Sequence, residues 1–292
     1  MKKVKIITDS NSGIKQEEVN QWDVFVIPMP FYIDGKEYLE GITLTQTEFY
    51  NLLKEDTSIS TSQPSSFYLQ DLFEKTLKDY EEIIYIPMSS GLSNTCENAK
   101  TIALKYHGRV HVIDNLRISV TQKTSVYEAI NLLKQEKSAL EIEEYLLKTR
   151  NIQSIYIYLD TLKYLKKGGR ITPTAALLAN LLKIKPILYS RGENFEKFNT
   201  CRTIFKAKEL MIHQVKEELE NEFLEYYKKG LMSVSVAHTE NIEEALEFKK
   251  QIMEVFPKLK FNYVDALSLS VSCHIGPHAL AIALAIDSTN ND

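Results

Sequence analysis

Apolar residues along this chain fall in short blocks of two different periods, which predicts strands and helices in turn. Lys3–Thr8 is a β-rich run that ends in the loop composition Asp9-Ser10-Asn11-Ser12-Gly13. Val24–Ile33 is apolar again, and Asp34-Gly35 is a two-residue hairpin signal ahead of Lys36–Leu39. Thr45-x-x-Glu48 reads as a capping box that opens a helix through about Lys54. A further helix follows Pro64, with Phe67, Leu69, Leu72, Phe73 and Leu77 on one broad face. Glu82–Met88 predicts a buried strand, Ser89–Thr95 a loop, and a helix then runs to about Tyr106. Val110–Ile113 predicts another strand, with helices over about Arg117–Lys134 and Ser138–Thr149, the latter opened by a second capping box, Ser138-x-x-Glu141.

A second set begins near Gln153–Leu159. Its strands are expected at Ile184–Ser190, Met232–Ala237, Leu259–Val264 and Ala279–Ile286, with helices at Ile204–Lys228 and Asn241–Val255. Strands separated by helices imply parallel pairing, with helices layered over the sheets. The expected fold class is therefore α/β: two α/β domains with mostly parallel sheets flanked by helices. The domains are placed at residues 1–155 and 156–292, a soft boundary that no shift in composition marks.

Composition narrows the functional classes. Of 292 residues, 44% are hydrophobic and 25% charged, the balance of a packed globular protein. A net charge of −4 tilts against a nucleic-acid binder, which needs clustered Lys and Arg to neutralise phosphates. Asp9 and Asn11 interrupt the start too early for a signal peptide. The apolar run Ala279–Ile286 falls far short of the ~20 residues that span a bilayer. Cys96, Cys201 and Cys273 are odd in number and widely spaced, with no metal or disulfide pattern. A reduced, cytoplasmic protein without metal or other cofactor is expected.

Three loops are rich in hydroxyls: Thr8-Asp9-Ser10, Thr61-Ser62-Gln63-Pro64-Ser65 and Ser89–Thr95. Ligands of open α/β sheets gather beyond the carboxyl ends of strands, and helix N-termini favour anions. The plainer reading is helix capping, for which Ser, Thr, Asn and Asp are the preferred residues. Ser89–Thr95 holds more polar side chains than capping requires, so it is the best candidate of the three. None of these loops carries Lys or Arg, and neither a G-x-G-x-x-G nor a P-loop occurs. Neutral hydroxyls suit a single carboxyl group better than a polyphosphate. Asp9 and Asp114 each follow a strand, where an acid–base role competes with loop ordering. Lys166-Lys167-Gly168-Gly169-Arg170 reads as a short helix ended by glycines, and Thr172-Pro173 starts the apolar helix Ala175–Leu182. Cys273-His274-Ile275-Gly276-Pro277-His278 is expected in a turn, where a histidine either donates to a carboxylate or satisfies a backbone carbonyl.

These motifs, in this order, resemble the DegV family, whose characterised members are bacterial fatty-acid-binding proteins (FakB-type). The resemblance spans nearly the whole chain and implies two α/β domains enclosing a long-chain fatty acid. It implies a head-group site at Thr61, Ser62, Ser93, Asn94 and Thr95 in the first domain, with His274 and Arg170 from the second. It further implies that the acid is presented to a separate ATP-dependent fatty acid kinase, whose acyl-phosphate product feeds phospholipid synthesis, with Arg202 at the partner surface. On this reading the chain is the lipid-binding subunit and not an enzyme, with transient membrane contact at most. The family's turn reads His-x-Gly-Pro-Gly, and here His278 stands in place of the last glycine. Ala175–Leu182, Ile184–Leu188 and Ala279–Ile286 are either tunnel lining or ordinary core. The competing readings are a small-molecule hydrolase or kinase using Asp9 or Asp114, and a regulatory protein in which lipid signals occupancy.

Overall fold

A computed structural model of the chain describes residues 3–53, 57–180 and 184–289. The chain forms two compact units, Met1–Asn151 with Ser268–Ser270, and Ile152–Leu267 with Val271–Asp292.

In the first unit the elements run β1 (Val4–Asp9), α1 (Gln16–Trp22), β2 (Phe25–Ile27), β3 (Pro30–Ile33), β4 (Lys36–Leu39), α2 (Gln46–Leu52), β5 (Ile59–Thr61), α3 (Ser66–Asp79), β6 (Glu82–Ile86), α4 (Thr95–Ala103), β7 (Val110–Val112), α5 (Ser119–Lys134) and α6 (Ala139–Thr149). The order β2-β1-β6-β7 makes a four-stranded sheet in which every pair is parallel. Its period of two divides the core between two faces. Ile6, Ile84 and Ile86 pack with Val126, Ile130, Ile142 and Leu146 of α5 and α6. Ile7, Ile83 and Tyr85 pack on the other side with Leu69 and Phe73 of α3 and Ala99 and Ile102 of α4. Buried on both faces, these strands need the continuous apolar runs that made them legible.

β4-β3-β5 is a small antiparallel sheet. Its hairpin turns at Asp34 (φ 49°) and Gly35 (φ 80°), the paired left-handed conformation that Asp-Gly favours. Thr45 and Glu48 form the expected reciprocal cap of α2, which ends at Leu52; Lys54 lies outside the described residues. Phe67 is a correction. It is 82% exposed, because it stands about 200° around α3 from the fully buried Leu69.

The second unit contains β8 (Gln153–Tyr158), α7 (Lys163–Gly168), α8 (Pro173–Ala176), β9 (Lys185–Ser190), β10 (Glu196–Cys201), α9 (Ile204–Glu220), α10 (Leu224–Lys228), β11 (Met232–His238), α11 (Ile242–Val255), β12 (Lys260–Ala266), α12 (Leu269–Ile275, whose first residues belong to the first unit) and β13 (Leu280–Ile286). The six-stranded order is β10-β9-β8-β13-β11-β12. The mixed α/β class holds, but parallel pairing does not extend to this sheet: only β11 and β12 run parallel, and the other four pairs are antiparallel. A parallel crossover needs a long return element. The 14-residue α11 supplies one, whereas α7 and α8 have only six and four residues.

One face of this sheet carries Tyr156, Ile187, Val234, Ile282 and Leu284 against Met211, Val215 and Leu219 of α9 and Phe248 and Ile252 of α11. Strand alternation turns Ser233, Ser235, Ala281, Ala283 and Ala285 to the opposite face. The long helix expected at Ile204–Lys228 is interrupted between Glu220 and Leu224. Cys273, His274 and Ile275 end helix α12 and are not in a turn. Leu181 and Leu182, part of the expected Ala175–Leu182 helix, lie outside the described residues.

Candidate functional site

In the first unit two of the hydroxyl loops follow the carboxyl ends of β1 and β6, and the third follows β5 of the small sheet. Asp9 is fully buried and accepts hydrogen bonds from the backbone N–H of Asn11 (3.1 Å) and of Met88 (2.8 Å). The Gln122 amide of α5 donates to Asp9 Oδ1 (3.2 Å), Thr8 Oγ1 (3.0 Å) and the Ile86 carbonyl (3.2 Å). Burial raises the Asp9 carboxyl to about 6, against the lowering effect of these donors. The group ties two strand ends and a helix together. Asp114, after β7, accepts from the Ser90 N–H at 3.2 Å.

Ser89–Thr95 folds on itself. Ser89 Oγ accepts from the Gly91 N–H (3.2 Å), and Ser93 Oγ accepts from the Thr95 N–H (3.2 Å) while pairing with Thr95 Oγ1 at 2.9 Å. Ser93, not the exposed Asn94 at the cap position, thus tethers the start of α4. Thr61 closes β5 opposite Phe31, and the exposed Ser62 follows it. Ser65 caps α3 through the Tyr68 N–H (3.1 Å), and Ser66 Oγ reaches Asn98 Oδ1 of α4 at 3.0 Å. That bond joins the first turns of α3 and α4. The Thr61–Ser65 and Ser93–Thr95 segments therefore lead into neighbouring helix starts.

Cys96, Glu97 and Asp114 each place one potential metal-ligand atom within 4.8 Å of the others. Burial, aided by Asp114, pushes the Cys96 thiol up to about 12, and Glu97 is paired with Lys100. A thiol held protonated at neutral pH is a poor metal ligand.

In the second unit the structure brings His274 and Arg170 together. Gly169 (φ 71°) ends α7 as expected, and Arg170 Nη1 donates to the Gly168 carbonyl at 2.6 Å. The His274 ring occupies the space a side chain at Gly168 would need: a Cβ there would lie 2.0 Å from Nδ1. At Gly276 (φ 79°) a Cβ would lie 2.4 Å from the Tyr164 ring. The glycine pair and the His-Ile-Gly-Pro segment are thus two halves of one fit. Burial, and then the charge of Arg170, lower the His274 imidazole to about 4, so it is neutral at pH 7. His278 is exposed and adopts φ 59°, a left-handed conformation. Arg202 is exposed between β10 and α9.

Sequence reasoning missed Thr239, which is fully buried and holds this segment in place. Its hydroxyl donates to the Gly276 carbonyl (2.7 Å) and accepts from the Ala279 N–H (2.8 Å), while its carbonyl accepts from the His278 N–H (2.9 Å). Its position just after β11 was the one available signal. Gln122 was also missed, and its mid-helix position gave no signal.

The fold and these loops define a two-unit α/β protein with polar clusters at strand and helix ends. The family model described as an uncharacterised protein of the DegV family matches residues 3–287, and the chain belongs to that family. It is 31% identical to a DegV domain-containing protein of Staphylococcus aureus over 284 residues, covering 97% of this chain and 99% of the relative. A solved Bacillus subtilis protein described as DegV, a fatty acid binding protein, is 27% identical, with a TM-score of 0.83 over 98% of this chain and 100% of that one. A DegV family protein of Thermus thermophilus, described by its fatty acid binding, shares the fold with a TM-score of 0.88 at 23% identity, over 97% of this chain and 99% of its own. Among the described residues, no helix is long and apolar enough to cross a membrane.

Proposed function

We propose that this chain binds one long-chain fatty acid and presents its carboxyl group to a separate ATP-dependent fatty acid kinase. The observation that carries the reading is family membership, together with a 27% identical relative described as fatty-acid-binding. Local chemistry supports it. Thr61, Ser62, Ser93, Asn94 and Thr95 offer neutral donors on adjoining segments, and His274 beside Arg170 is held neutral. A head group fixed chiefly by neutral donors, with the Arg170 guanidinium engaged by the Gly168 carbonyl, keeps a reactive carboxylate, because a strong direct counter-charge would stabilise it against transfer. The chain supplies the affinity, at about 0.8 kcal/mol per buried CH₂. The buried alanines of β13, each 3% exposed or less, are the surface we assign to it. Arg202, exposed after β10, is assigned to the kinase contact. The acyl phosphate formed there would pass to phospholipid synthesis in the cytoplasm.

The alternative enzyme reading is disfavoured by Asp9, whose carboxylate is fully buried and already engaged by three donors. The deciding experiment is native mass spectrometry of the purified protein, followed by denaturation and identification of released small molecules. A long-chain acid at near one per chain supports the carrier reading. Its conversion to acyl phosphate upon addition of a fatty acid kinase and ATP, and not with ATP alone, supports the partner. A protein still empty after incubation with mixed fatty acids overturns the proposal.

A further inference from the structure

We propose that Asn98 is a positioning residue for the head-group site: it holds the first turn of α3 against α4, and so sets how far the Thr61–Ser62 segment stands from the Ser93–Thr95 hydroxyls. The inference rests on the reading of those hydroxyls as head-group donors, and every residue in it belongs to the first unit. The Ser66 hydroxyl, at the first position of α3, donates to Asn98 Oδ1 of α4 at 3.0 Å. One turn further along α3, Gln70 accepts from Lys105 Nζ through its amide oxygen (2.7 Å) and from the Tyr106 hydroxyl through its carbonyl (3.3 Å). The links advance together along both segments, so α3 and α4 lie side by side with their N-termini at the same end. Two helix starts placed together favour an anion.

Each hydroxyl segment is fixed at its other end. Thr61 pairs with Phe31 of β3, and the Ser62 N–H donates to the Pro30 carbonyl at 3.1 Å. The buried Pro64 stiffens the span from there to Ser66. On the α4 side, Ser93 Oγ accepts the Thr95 N–H, and the Asn98 N–H closes the first turn on the Asn94 carbonyl at 3.1 Å. The Asn98 side chain therefore joins two segments that are each held locally. Its Nδ2 is buried with no hydrogen-bond partner among the described residues. An unpaired buried donor is destabilising, and a position that needed only packing would be better filled by an apolar side chain of this size. The amide is retained for what its oxygen holds.

The test is a double-variant cycle on Ser66 and Asn98, read by oleate affinity and by carbon NMR titration of carboxyl-labelled oleate in its bound state. Ser66→Ala removes an exposed hydroxyl and leaves the core intact. It should weaken oleate binding about threefold to tenfold, the range for one modest hydrogen bond. The bound carboxyl should titrate at higher pH, because donors that favour its ionised form are withdrawn. Asn98→Ala should do the same. The double variant should lose no more than the larger single loss, since one link is broken either way. Ser66→Thr retains the hydroxyl and should restore the parent's affinity. Affinity and carboxyl titration unmoved by Ser66→Ala, or losses that simply add in the double variant, would overturn the proposal. Ser66→Ala decides the matter even if Asn98→Ala does not fold. Ser93→Ala separates this outcome from failure of the head-group reading. Oleate bound as tightly by Ser93→Ala as by the parent would remove the head-group assignment itself. Weaker binding in Ser93→Ala beside unchanged binding in Ser66→Ala would keep that assignment and remove Asn98 from it.

Discussion

Ser93 has two tasks, and one substitution should remove both. Its Oγ accepts the Thr95 N–H and, on our reading, also binds the acid's carboxyl group. Ser93→Ala should cost about 1 kcal/mol of stability through the lost cap. It should also weaken acid binding by about 1.5–3 kcal/mol, the range for a hydrogen bond to a charged group. Thr61→Ala, at the end of β5, should show a binding loss of the same order. Titration with oleate and thermal melts give both quantities, and unchanged affinity in both variants would remove the assigned roles. His278 tests the backbone in the same segment. A left-handed conformation costs an L residue about 1–2 kcal/mol, and glycine returns about 0.5–1 as chain entropy. His278→Gly, at φ 59°, should therefore raise stability by about 0.5–1 kcal/mol in denaturant titration.

At the scale of elements, Thr239 should matter more than its position after a strand suggests. Thr239→Val keeps the shape but strips the partners from the Gly276 carbonyl and the Ala279 N–H. Leaving such groups buried and unpaired costs about 1–3 kcal/mol each, and the His274 segment should loosen with them. Oleate affinity should fall together with the melting temperature; a variant as tight-binding as the parent would show that the segment needs no such anchor. The sequence could not disclose this, because Thr239 meets its partners only when β11 and β13 pair. The same limit explains the elements that were missed. β10 reads Glu-Lys-Phe-Asn-Thr-Cys, with no apolar period, and it becomes a strand by pairing with β9. β5 has three residues, two of them polar, and depends likewise on β3. By contrast, strands buried on both faces, the Asp34-Gly35 hairpin and both capping boxes were legible, since their signals lie within a few neighbouring residues. Of the candidate site, the hydroxyl loops and the glycine pair were visible. The packing of His274 on Gly168, a contact across about a hundred residues, was not.

For the whole molecule, three groups shifted by burial or partial burial set how stability depends on pH, and their signs differ. Asp9 is raised from 3.8 to about 6 and Glu40 from 4.5 to about 7, both chiefly by burial. The folded chain therefore holds protons on these carboxyls that the unfolded chain has released. Their contribution is present at low pH and is lost as pH rises through the folded values. His274, lowered from 6.5 to about 4, acts in the opposite sense, because the unfolded chain binds its proton first and stability rises with pH across that window. Between about pH 4.5 and 6 the two carboxyls outweigh the one imidazole. From about pH 6.5 to 7 His274 still offsets about half of the Glu40 contribution, because the unfolded imidazole is only then losing its proton, and Glu40 prevails above that. Stability should accordingly fall as pH rises from 5.5 to 7.5, with a net slope of no more than about one proton, or about 1.4 kcal/mol per pH unit. Denaturation midpoints across this range check the sign in the parent. The double variant Asp9→Asn, Glu40→Gln should reverse the slope below pH 6.5 and flatten it above. His274→Gln should steepen the parent's decline. A parent whose midpoint climbs from pH 5.5 to 7.5 would mean that other groups govern the titration, and that burial of Asp9 and Glu40 is not what couples this fold to protons.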